Sequence, residues 1–151
     1  MIAFKNLLIF LIIFICETTG NNNQRIDQYL AEVRGTLTCI LKETRQAFVS
    51  ISTDPLISSV SHYIGRETVN YGQQFSITGK HNFTGKPNLY LQIRHSCFKK
   101  DLYESNCRTQ IIGKQIPSSH VIVGHGQKEN VWDIGELELS NPGDGFNKTC
   151  N

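Results

Sequence analysis

Apolar and polar residues alternate with a period of two along most of this chain. Val33, Gly35, Leu37 and Cys39 alternate with Arg34, Thr36 and Thr38, and Ala47, Val49 and Ile51 with Phe48, Ser50 and Ser52. Phe75 and Ile77 alternate with Gln74, Ser76 and Thr78 as far as Gly79. The clearest run sets Leu89, Leu91 and Ile93 against Tyr90, Gln92 and Arg94. Gln110 to Ile116, His120 to Val123 and Trp132 to Leu139 complete the set, the last with Leu137 and Leu139 on one side and Glu136 and Glu138 on the other. Period two marks strands that bury one face. Thr53-Asp54-Pro55, Gly79 and Pro117 read as breaks, and Asn82 to Pro87 as a loop. Ile26, Tyr29, Leu30 and Val33 have instead the spacing of one or two helical turns, and Leu56 to Gly65 fits neither period. About seven to eight short strands, with no helical pattern recurring between them, predict an all-β antiparallel β-sandwich. The polar side of each sheet then meets water, and function must sit there.

One stretch breaks the alternation. Leu7 to Cys16 is continuously apolar, with Lys5 before it and Thr18-Thr19-Gly20 after it. A basic flank, a short apolar run and small residues ahead of a cleavage point make a secretory signal peptide. About ten residues span roughly 15 Å as a helix, and a bilayer core needs about 20 residues. The run is therefore expected not to span a membrane. Residues 1–20 are expected to be removed, leaving residues 21–151 as one secreted, extracellular domain large enough for a single core.

Export changes how the cysteines are read. Of the five, Cys16 leaves with the signal peptide, and Cys39, Cys97, Cys107 and Cys150 remain. An even number outside the cytosol suggests two disulfides with three possible connectivities. Cys97 with Cys107 would close a short loop between two strands, and Cys39 with Cys150 would tie the first strand to the tail; this pairing is the favoured one. No Cys-x-x-Cys pair occurs, so a zinc site is not expected. Two sequons, Asn82-Phe83-Thr84 and Asn147-Lys148-Thr149, fit the same compartment and are expected on exposed loops. The net charge of +2 predicts no strong electrostatic draw to nucleic acid, though Lys99-Lys100 is a small local basic patch.

Three stretches resemble the nematode transthyretin-like family. They are Val33-Arg34-Gly35-Thr36-Leu37-Thr38-Cys39; Pro87 to Cys97, ending Arg94-His95-Ser96-Cys97 with Cys107 ten residues on; and Ile116-Pro117-Ser118-Ser119-His120-Val121 leading to Trp132-Asp133-Ile134-Gly135-Glu136-Leu137-Glu138-Leu139. The matches run in order from Val33 to Cys150. The resemblance implies a secreted, disulfide-linked transthyretin-like sandwich. It also implies extracellular binding roles that include lipid surfaces and cell-surface receptors.

Each candidate chemistry has a plainer reading. Hydrolytic relatives on the transthyretin fold end in Tyr-Arg-Gly-Ser, and here Phe146-Asn147-Lys148-Thr149-Cys150-Asn151 stands instead. The histidines are His62, His81, His95, His120 and His125. His120 and His125 lack a third ligand at metal spacing. His95 beside Cys97 reads as a ring packed near a disulfide, donating a hydrogen bond to backbone, because a Cys–His nucleophile would need a free thiolate. Trp132 and Asp133 read as core and turn. The segment between Cys97 and Cys107 is the stronger contact candidate. Phe98 and Tyr103 supply contact area, and Lys99 and Lys100 supply cations for an anionic headgroup. The expected function is that of a secreted non-enzymatic binding or carrier protein without cofactor. Its partner would be an extracellular protein such as a receptor, a lipid surface or a small hydrophobic ligand. A divergent extracellular hydrolase and an inhibitor of a secreted protein are the alternatives.

Overall fold

The computed structural model describes residues 25–41, 46–55, 63–98, 107–124 and 130–150. The expected signal peptide lies outside these residues. Among the described residues nine strands form two sheets. They are β1 (Ile26–Thr38), β2 (Gln46–Ser52), β3 (Tyr63–Asn70), β4 (Gln74–Thr84), β5 (Tyr90–His95), β6 (Gln110–Gln115), β7 (Val121–Val123), β8 (Trp132–Glu138) and β9 (Asn147–Cys150). Among the described residues no helix is long and apolar enough to cross a membrane.

The first sheet is organised on β1. β4 runs antiparallel along one side of it, from Ile26↔Thr84 to Thr36↔Gln74. The other side is divided between β7, antiparallel opposite Tyr29 to Ala31, and β8, parallel opposite Val33 to Thr38. The second sheet has the order β3-β2-β5-β6-β9 and is antiparallel throughout. The all-β sandwich is as the alternation predicts, with nine strands among the described residues against about seven to eight expected, and with one correction: β1 and β8 pair in parallel. Tyr29, Ala31, Val33, Leu37, Phe75, Ile77, Val121 and Leu137 from the first sheet meet Ala47, Val49, Ile51, Val69, Leu91, Ile93 and Ile112 from the second in one buried cluster.

Three local expectations change. Residues 26 to 33 extend β1 and form no helical turn: Tyr29, Ala31 and Val33 are buried on alternate positions, and β4 and β7 supply hydrogen-bonding partners on both sides. Gly79 does not end β4, which runs on to Thr84 through the residues read as a loop. A Cβ at Gly79 would stand 3.0 Å from Ile64 Cγ1 and 3.1 Å from Ile51 Cβ, so the glycine serves close packing between sheets. β9 has no apolar alternation and exists through its ladder to β6.

β3 and β4 belong to different sheets yet abut. A Cβ at Gly65 would lie 2.4 Å from the carbonyl oxygen of Thr78. The turn joining them closes through Gln73 N–H to the Asn70 carbonyl at 3.3 Å, and Gly72 N–H donates to the Leu37 carbonyl at 2.8 Å. Gly72 has φ of 77°, a conformation open to glycine without steric cost.

The disulfides join other partners than expected. Cys39 bonds Cys97, Cα to Cα 5.9 Å, and Cys107 bonds Cys150, 5.5 Å. The physical reason is strand parity. Cys39 continues the inward series Val33, Gly35, Leu37, and Cys97 continues Leu91, Ile93, His95. Both thiols therefore point between the layers and meet across them. The closed stretches of 58 and 43 residues each contribute about 4 kcal/mol on a chain-entropy estimate.

Candidate functional site

The connection from β5 to β6 was the contact region expected from sequence. Its described ends are Ser96 to Phe98 and Cys107 to Thr109; Lys99, Lys100 and Tyr103 lie outside the described residues. Phe98 is 5% exposed and presents an edge-to-face contact to His95, ring centroids 6.4 Å apart. It is a buried ring and drops out as a contact residue. Cys97 is fixed to the end of β1 in the first sheet, and Cys107 to β9 in the second. The connection is thus anchored at both ends, to different layers. On the β1 side, Ile40 follows Cys39 and is 71% exposed.

Beside this anchor Glu138 gathers several donors, an arrangement that sequence analysis missed. Its Oε1 accepts from Ser140 Oγ at 2.6 Å, Ser140 N–H at 3.0 Å and Ile40 N–H at 3.2 Å. Burial pushes the carboxyl up, but these hydrogen bonds, with one from Thr38, outweigh it and hold the group below its ordinary value. The result ties the end of β1 to the end of β8 next to Cys39. A serine two residues after an acid, capping it from the following turn, was the available signal.

His95 is 2% exposed, and among the described residues neither ring nitrogen has a hydrogen-bond partner. The Cys97 backbone lies close enough to act on the ring, but no contact from either nitrogen reaches hydrogen-bond geometry. Burial pushes its pKa down from 6.5 to about 4; the Cys97 backbone and Glu138 pull it up, and Lys148 adds to the lowering. The ring is neutral at neutral pH and shielded from any substrate. His81 lies on β4 with its ring edge-on to Phe83, centroids 5.0 Å apart. His120 Nδ1 is 3.1 Å from the Asn130 carbonyl, and Asn130 Nδ2 donates to the Ser119 carbonyl at 2.5 Å. A carbonyl only accepts, so Nδ1 carries the proton. This pair fastens the residues just before β7 to the residue two before β8. His62 and His125 lie outside the described residues. Among the described residues no three His, Cys, Asp or Glu groups come together as a metal site.

Trp132 and Asp133 serve the fold, as sequence implied. Asp133 Oδ1 accepts from Gly135 N–H at 2.9 Å, and Oδ2 from Arg34 Nε at 3.0 Å. The Gly135 N–H, then Arg34, holds the Asp133 carboxyl below its usual range. Opposite Gly35 stand two residues, Ile134 and Gly135, so the β1–β8 ladder bulges there.

The outward faces of the two sheets are not equivalent. On the first, Gln74, Ser76, Thr78 and Lys80 are exposed, as the alternation predicts. On the second, Ser50, Ser52 and Gln92 occupy outward positions and are buried. Gln92 Nε2 donates to the Asp54 carbonyl at 2.7 Å, and Asp54 N–H donates to Ser52 Oγ at 3.0 Å. Asp54, just after β2, is thus held back against its own sheet. Both sequon asparagines, Asn82 and Asn147, are exposed, but they lie in strands β4 and β9 rather than in loops.

No family model and no curated protein matches the chain. A solved 9R-lipoxygenase from Cyanothece PCC8801 superposes on 73% of the chain with 16% identity and a TM-score of 0.35. The chain spans 16% of that protein's length, and a likeness so loose carries no argument about activity.

Proposed function

We propose that the chain is an exported, non-enzymatic binding protein, of the transthyretin-like kind its sequence resembles, that attaches to anionic lipid surfaces through the disulfide-bearing end of the sandwich. The observation that carries this reading is the double anchoring of the β5–β6 connection. Cys97 and Cys107 are pinned to different sheets, so part of the ordering cost of binding is met in advance. Ile40 adds an exposed apolar side chain beside Cys39, and Lys99 and Lys100 follow Cys97 closely in sequence. An exposed apolar side chain and two cations, each close in sequence to one cysteine of the same disulfide, suit an anionic headgroup layer, where each cation contributes about 1 kcal/mol. The burial of His95 and the structural engagement of His81 and His120 favour binding over hydrolysis.

The test is co-sedimentation of the mature protein with phosphatidylserine-containing and with neutral vesicles. Binding to the anionic vesicles alone, weakened at least tenfold by Lys99→Glu with Lys100→Glu and by raised salt, is the expected result. Equal binding of wild type and variant to both vesicle types overturns the reading.

A further inference from the structure

The two sequons differ in what closes over them. Asn147 opens β9 and pairs with Gly113, Lys148 pairs with Ile112, and Thr149 with Ile111. Directly after the threonine, Cys150 is bonded to Cys107. Directly before the asparagine, the Phe146 ring lies 5.0 Å below Lys114 Nζ. Asn147 is exposed, so a sugar has room in the finished fold, while Thr149 is half-buried and the tripeptide is held in the ladder. Asn82 also sits in a ladder, opposite Gln28, but β4 contains no cysteine.

We propose that Asn147 is a glycan acceptor whose occupancy is decided by a race between sugar transfer and closure of the Cys107–Cys150 bond. The proposal rests on the export reading above. In transfer, Asn147 Nδ2 bonds to the anomeric carbon of a lipid-pyrophosphate-linked oligosaccharide. The anomeric carbon–oxygen bond breaks, the lipid pyrophosphate leaves, and an amide proton passes to the transferase or to water. The transferase must seat Asn147 and Thr149 together in its own cleft, which requires β9 to be off β6. In closure, the thiols of Cys107 and Cys150 become one disulfide, while a carrier disulfide of the exporting compartment is reduced to two thiols. From then on β9 is tethered beside β6 one residue past the sequon, and transfer is shut off. The glycan at Asn82 is exempt, because no disulfide closes its strand.

Translating the full chain with glycosylation-competent microsomes tests this, with occupancy read at each asparagine by mass spectrometry after enzymatic deglycosylation in heavy-isotope water. Partial occupancy of Asn147 is expected under oxidising conditions. A rise of at least twofold is expected with dithiothreitol, with Cys150→Ser and with Cys107→Ser, while Asn82 stays constant. The dithiothreitol arm uses the unaltered chain, so misfolding of a variant does not decide the outcome. Asn147 occupancy equal in every arm, whether full or nil, overturns the proposal. Absence of sugar at both sites on chains sealed inside the vesicles overturns this proposal alone. Absence on chains left outside overturns the export reading and this proposal with it.

Discussion

The Glu138 carboxylate receives the backbone N–H of Ile40 at 3.2 Å, joining the residue after Cys39 to the end of β8. Ser140 reaches the same oxygen through both its hydroxyl and its backbone N–H. Glu138→Ala leaves these donors without their shared acceptor and is expected to destabilise the protein by about 1–2 kcal/mol. Glu138→Gln keeps an acceptor oxygen and costs less. Urea unfolding midpoints of the two variants at neutral pH check the order; an Ala variant as stable as wild type removes the role.

The buried ring of His95 makes folding sensitive to acid. Its pKa is about 4 in the fold against an ordinary 6.5, so between these values the unfolded chain binds the proton and the folded chain does not. Stability from this residue is complete above pH 6.5 and is lost as pH falls towards 4, by about 3 kcal/mol in all. His95→Leu removes the proton and also two orphan nitrogens, and is expected to flatten the decline between pH 6.5 and 4. Unfolding free energies measured at half-unit pH steps decide it: parallel curves for wild type and variant would sink the prediction.

At the β1–β8 bulge, Gly35 and Ile134 compete for the same space. A Cβ on residue 35 would lie 2.4 Å from Ile134 Cγ1 and 2.8 Å from the Gly135 carbonyl oxygen. Gly35→Ala is expected to destabilise by about 1–3 kcal/mol. Ile134→Ala added to it recovers part of that loss, and the carbonyl contact preserves the rest. A double-mutant cycle by thermal unfolding measures the coupling, and strict additivity would contradict it.

The disulfide connectivity is open to direct observation. A non-reducing peptide map should contain one peptide joining Cys39 to Cys97 and another joining Cys107 to Cys150. Loss of the first bond in Cys39→Ser with Cys97→Ser is expected to cost about 2–5 kcal/mol. A peptide joining Cys97 to Cys107 would contradict the arrangement.

Much of the architecture is legible in the alternation itself. Leu91 and Ile93 on β5, Val49 and Ile51 on β2, and Leu137 with Leu139 at the end of β8 face the core as their spacing says. The rest escaped for definite reasons. Ile26, Tyr29, Leu30 and Val33 satisfy helical spacing, yet Tyr29, Ala31 and Val33 satisfy strand spacing equally, and the ladders of β4 and β7 decide between them. β9 is Asn-Lys-Thr-Cys, with no apolar face to read. Cysteine proximity in sequence suggested Cys97 with Cys107, whereas inward parity of Cys39 and Cys97 already contained the true pair. Of the expected contact site, Phe98 was misjudged because an aromatic after a cysteine is read as readily for a surface as for a core. Of the Glu138 arrangement, the Ser140 contacts are local and readable, whereas the Ile40 contact depends on the ends of β1 and β8 meeting, which no local pattern encodes.

The seam where Gly65 and Gly79 bring β3 against β4 has a consequence for how molecules of this protein coexist at high concentration. Unpaired strand margins are templates on which another chain can stack. On that flank, among the described residues, the two margins approach closely enough to crowd an incoming strand. Among the described residues the remaining edge strands, β7 and β8 in one sheet and β9 in the other, are at the opposite flank. There β8 is kinked at Gly135 and carries Asp133 and Glu136, and β9 is four residues long and carries Lys148. Filling the seam, by Gly65→Val for instance, would pry the margins apart and leave their amides open to a second chain.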